Sequence, residues 1–99
     1  MSDGAEKIVR VLIAGEVQGV GYRAWTVHEA KRLQLRGWVR NLRSGEVEAV
    51  FAGAASDVEA MLARCRQGPR YAVVASVKAE PADAAALLPG GGFHHLGTV

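Results

Sequence analysis

The run Gly15-Glu16-Val17-Gln18-Gly19-Val20-Gly21 leaves this chain the fewest choices, because it joins an apolar stretch, Ile8 to Ala14, to a segment of helical periodicity that begins near Tyr22. A strand has to become a helix within seven residues. Three glycines in the run allow backbone angles that a side chain forbids, so successive N–H groups can converge on one point. The unpaired amides of the helix's first turn and the positive end of its dipole add to the same point, which suits an anion. Arg23 fits that picture, since a cation is disfavoured at this end of a helix unless it has an anion to hold. Its planar guanidinium can donate two parallel hydrogen bonds to a phosphate or carboxylate. Taken alone, the motif leaves open a tight corner with a solvated Arg23.

The rest of the chain alternates between the two periods. Lys7 to Ala14 reads as a strand, and Tyr22 to Gln34 as a helix with Tyr22, Thr26, Ala30 and Leu33 toward a core and Ala24, His28 and Lys31 outward. Gly37–Leu42 and Glu46–Ala52 form a hairpin about Arg43-Ser44-Gly45. Period two places Val39 and Asn41 on one face, so Asn41, at the strand's end, can reach the glycine run. Ser56-Asp57-Val58-Glu59 reads as a capping box opening a second helix, with Val58, Met61, Leu62 and Cys65 inward and Gly68-Pro69 as the stop. Tyr71 to Glu80 is a fourth strand with Val73, Ala75, Val77 and Ala79 on one face. Residues 81–92 turn to Ala, Pro and Gly and are expected to be a mobile connection, and Phe93–Leu96 a short edge strand. The order βαββαβ predicts an α+β, ferredoxin-like sandwich, an antiparallel sheet with two helices on one face.

Ninety-nine residues suit a single domain over 1–99, with residues 1–6 as a flexible N-terminus. No apolar run is long enough to span a bilayer, and Met1 to Glu6 is polar, unlike a signal peptide, so a cytoplasmic monomer is expected. One cysteine, Cys65, cannot form an internal disulfide and reads as a small buried hydrophobe. From Arg23 to Arg43 six basic residues face one acid, Glu29, a balance of +5 that leaves −3 elsewhere given the net charge of +2. That basic segment attracts small anions, or is a solvated helix face.

Two separated motifs carry a family resemblance. Val17-Gln18-Gly19-Val20-Gly21-Tyr22-Arg23, followed by Ala30, Leu33, Leu35 and Gly37-Trp38-Val39-Arg40-Asn41, then Gly45, Val47 and Glu48, resembles the acylphosphatase family. A looser match continues through Gly53, Gly68-Pro69, Val74 and Val77. The resemblance implies the same fold, phosphate bound by the loop and the arginine matching Arg23, and an attacking water placed by the asparagine matching Asn41. Gln34 stands where the family usually has glycine, Ser44 replaces an acidic turn residue, and Phe93-His94-His95 is less typical of the family, which leaves the last strand's register open.

The residues lead to the same chemistry. His94 and His95 lie near a flexible end and read as surface histidines, His28 faces out, and no spaced His, Cys or carboxylate cluster suggests a metal, so neither metal nor cofactor is expected. Positioning and charge alone must then suffice. Acyl phosphates meet that condition, because the leaving carboxylate needs no protonating side chain. The chain would hold the phosphoryl group with the amides of Val17, Gln18, Gly19, Val20, Gly21 and Tyr22 and with Arg23, and Asn41 would aim a water in line. Glu16 must point away from such a site. Trp38 and Tyr22 read as packing. The alternatives are a non-catalytic anion-binding module and an RRM-like RNA binder. The second is disfavoured because Glu46 and Glu48 replace the basic, aromatic pattern of an RNA-facing strand.

Overall fold

A computed structural model describes residues 5–99. The elements are β1 (Glu6–Glu16), α1 (Tyr22–Arg32), β2 (Arg36–Asn41), β3 (Val47–Ala54), α2 (Ala55–Gln67), β4 (Val73–Pro81) and β5 (Phe93–His95), with a 3-10 turn at Ala84–Ala86. The flexible start expected over residues 1–6 lies outside the described residues up to residue 4, and Glu6 already belongs to β1. Among the described residues, no helix is long and apolar enough to cross a membrane.

The sheet runs β4-β1-β3-β2-β5. β1 pairs antiparallel with β3 and β4, and β2 with β3, which gives the predicted four-stranded antiparallel sheet. β5 adds a parallel edge to β2, with Phe93 opposite Gly37 and His95 opposite Val39, so the whole sheet is mixed. Alternate residues Val9, Val11 and Ile13 of β1, Val47, Ala49 and Phe51 of β3, and Val39 of β2 meet Tyr22 and Ala30 of α1 and Val58, Met61, Leu62 and Cys65 of α2 in one core. Both helices therefore cover the same face, and α1 crosses β3 on its way from β1 to β2. That crossover brings the start of α1 and the end of β2 to the same end of the sheet.

Three local expectations are corrected. Ala14 faces Ser76 and Gly15 faces Val74, so Ala75 is an extra residue and β4 bulges there. Beyond the bulge the faces exchange: Val74 and Val77 both pack on the core, while Val73, predicted to share Val77's side, is 58% exposed. At α2 the strand runs straight into the helix. Ala54 is the N-cap residue and no side chain caps the helix; the Ala55 amide instead donates to the Ala5 carbonyl at 2.9 Å. Ser56 is already helical, so the capping box does not form, and Glu59 pairs with Lys7. Glu29, read only as a charge on α1, is buried and paired with Arg64 of α2.

The opposite face of the sheet is also partly covered. Glu48 is 2% exposed and lies between Arg10 and Arg40; the Arg40 guanidinium sits 4.6 Å from the Trp38 ring centre, and Trp38 Nε1 donates to the Ala86 carbonyl at 2.8 Å. The connection between β4 and β5 is thereby tied down at its 3-10 turn.

The backbone at Gln34 explains why glycine would suit this position. It ends α1 in the left-handed region, at φ 59°, the conformation for which glycine is suited. Gln34→Gly is expected to raise stability by about 1 kcal/mol, because a Cβ in left-handed backbone costs roughly that much. The check is the urea midpoint. An unchanged or lower midpoint would mean that the side chain contributes more than the strained backbone costs.

Candidate active site

After Glu16 the chain leaves the sheet and is held at both ends of the turn. Val17 is buried in the core, and the Gln18 side-chain amide donates to the carbonyls of Leu42 and Glu46 at 2.8 and 2.9 Å. The loop is thus fastened to the β2–β3 hairpin, the element that also carries Asn41. Gly19 and Gly21 have φ of 75° and 79°, where a side chain would be strained, and Val20 between them packs on the core.

Gly21 immediately precedes α1. No side chain caps this helix, its first turn holds no acid, and the first helical bond runs from the Trp25 amide to the Gly21 carbonyl at 3.0 Å. Among the described residues, no backbone carbonyl takes the amides of residues 18–21. The free N–H groups and the dipole of α1 therefore remain available to an anion. Glu16 is exposed at the end of β1 and is not part of the cavity wall, so its charge is kept away.

Val17, Gly19, Gly21, Tyr22, Arg23, Asn41 and His95 line a cavity of about 120 Å³. Of the predicted site residues, this brings together Arg23, Asn41, Val17, Gly19, Gly21 and Tyr22. Gln18 and Val20 are not on the wall; their side chains anchor the loop instead. Arg23 is half-buried in the first turn of α1, and its Nη1 donates to the Leu96 carbonyl at 3.2 Å. Asn41, the last residue of β2, is 9% exposed; its carbonyl accepts from the Val99 amide at 3.1 Å, and its side-chain Oδ1 is buried with no hydrogen-bond partner among the described residues. A buried acceptor left unpaired costs about 1–3 kcal/mol, so the carboxamide of Asn41, a residue of the cavity wall, carries an unmet hydrogen-bonding need.

His95 is exposed, as its sequence position suggested, yet it also stands on the cavity wall, a role that sequence reasoning missed. The available signal was its spacing of two from Phe93, which puts it on the core face of β5, but the parallel register that carries it to the cavity depends on β5 reaching β2. Tyr22 turns its side chain away from the cavity, donating from its hydroxyl to the Cys65 carbonyl at 2.6 Å. Burial pushes the Tyr22 hydroxyl's pKa upward and the Cys65 thiol up to about 12, so neither ionises near neutral pH and Cys65 is inert as a nucleophile. A larger concavity, about 230 Å³, is lined by Arg10, Leu12, Lys78, Ala79 and Glu80, but Arg10 is already paired there with Glu48 and Glu80.

The acylphosphatase family model matches residues 9–94. The chain is 48% identical to an acylphosphatase of Nitrobacter winogradskyi over 97 residues, covering 95% of this chain and 98% of that one. It is 50% identical to an acylphosphatase of Rhodopseudomonas palustris over 98 residues, covering 96% and 99%. The solved acylphosphatase of Coxiella burnetii superposes with a TM-score of 0.84 at 32% identity, over 92% of this chain and 93% of that chain.

Proposed function

Since the chain belongs to the acylphosphatase family and so hydrolyses small acyl phosphates, we propose that the loop amides and Arg23 hold the phosphoryl group while Asn41 places the attacking water. The amides of residues 17–21, with Tyr22 at the start of α1, donate to the non-bridging oxygens, and the Arg23 fork neutralises them. Asn41 Oδ1 accepts from the water, which attacks phosphorus opposite the bridging oxygen. The bond from phosphorus to that oxygen breaks, the carboxylate leaves with the electron pair, and the water's proton passes to a phosphate oxygen. No strong base and no metal is required, because the leaving group is already a weak base. The observation that carries this reading is a single cavity wall shared by Arg23, by Asn41, whose buried Oδ1 has no partner among the described residues, and by an uncapped helix start.

The same proposal has the enzyme working as a monomer in the cytoplasm. The cytoplasmic reading is supported by a single cysteine, which is free and buried.

A direct assay tests the mechanism. Benzoyl phosphate should be hydrolysed, an aryl phosphate monoester should not, and a chelator should leave the rate unchanged. Loss of activity with chelator would restore a metal to the scheme. Comparable turnover of the monoester would show that leaving-group strength is not what limits the enzyme.

A further inference from the structure

His95 stands on the cavity wall with Arg23 and Asn41 and has no task in the mechanism above. Its position follows from the register of β5. Phe93 sits in the core with its ring stacked on Phe51, the centres 5.6 Å apart, and His95, two residues on, projects from the same face opposite Val39. Asn41 lies two residues beyond Val39 on that face. The next residue, Leu96, accepts at its carbonyl from Arg23 Nη1 at 3.2 Å and donates its amide to the Val39 carbonyl at 2.9 Å, so one side-chain and one backbone hydrogen bond hold the end of the strand that carries His95. The two neighbouring histidines differ. The His94 ring is engaged through Nε2 with the Gly91 carbonyl at 2.6 Å, whereas the exposed His95 ring has no hydrogen-bond partner among the described residues.

We propose that His95 is a substrate-binding residue, donating a ring N–H to a non-bridging oxygen of the bound phosphoryl group beside Arg23. The inference rests on the phosphoryl reading of this cavity. An imidazole carries at least one N–H in either protonation state, so the contact does not depend on its charge. The leaving carboxylate needs no proton, so His95 has no acid role to fill. A donor to oxygens present both before and during displacement strengthens binding of substrate and transition state alike. Its loss therefore raises KM and weakens product inhibition, and leaves kcat close to its original value.

The test measures kcat and KM for benzoyl phosphate, and competitive inhibition by inorganic phosphate, on the full chain. His95→Ala is expected to weaken phosphate inhibition about tenfold, the usual effect of one lost hydrogen bond to an anion, with kcat within about threefold. His95→Gln, which keeps an N–H donor, should recover most of that loss. An inhibition constant for His95→Ala within about twofold of wild type overturns the proposal, as does a His95→Gln variant no better than alanine. Those outcomes leave the mechanism standing if wild type hydrolyses the substrate and is inhibited by phosphate; a wild type that phosphate does not inhibit removes the phosphoryl site itself.

Discussion

Arg23→Ala is expected to lower kcat/KM for benzoyl phosphate by at least about a hundredfold and to abolish measurable inhibition by inorganic phosphate. The figure is what one lost oxyanion donor typically removes, and Arg23 contributes a fork and a full charge. The structure supplies the reason to expect no less. Among the described residues, Arg23 is the only Lys or Arg on the cavity wall, the first turn of α1 has no acid, and Glu16 is outside, so no other Lys or Arg there replaces its charge. One of its nitrogens, Nη1, is anchored by the Leu96 carbonyl, which fixes the guanidinium without neutralising it. The loss should therefore appear in binding and turnover together, since the phosphoryl oxygens are charged in the ground state and in the transition state. Arg23→Lys should fall between the two, keeping the charge and losing the bidentate geometry. Retention of more than about a third of the wild-type kcat/KM in the alanine variant would take Arg23 out of the mechanism.

Much of the site was legible because it is built from local signals. A glycine run between a strand and a helix specifies an uncapped helix start, and hairpin parity specifies which way Asn41 points; neither needs knowledge of distant contacts. What sequence could not supply were effects of pairing. The extra residue at Ala75 shows only when β4 is laid against β1, and it places Val73 in solvent and Val74 partly buried against the core. The capping signature at Ser56 was sound chemistry defeated by a neighbour, because β3 extends to Ala54 and the Ala5 carbonyl takes the amide first. His95 meets the same limit at the cavity wall. Its spacing from Phe93 was readable, but the parallel partner that turns this spacing into a position beside Arg23 and Asn41 was not. Gln34 was noticed only as standing where the family usually has glycine; its left-handed backbone came from the structure.

Asn41→Ala should move activity and stability in opposite directions. Aiming a water matters only as the phosphorus–oxygen bond breaks, so kcat is expected to fall at least about a hundredfold while inhibition by inorganic phosphate changes less than about threefold. Stability should hold or rise by about 1 kcal/mol, because the variant removes an Oδ1 that is buried without a partner in the free protein. That acceptor is a liability to the fold, which the proposed mechanism explains by the water it would place, and the asparagine backbone still ties to the Val99 amide whatever the side chain. Thermal unfolding read beside steady-state kinetics separates the possibilities. Phosphate affinity lost in step with turnover would make Asn41 a phosphate ligand instead of a water-positioning group. A variant less stable by more than about 1 kcal/mol would mean that the side chain holds β2 to its surroundings, and the unpartnered oxygen could then no longer be taken as the mark of a site built for catalysis.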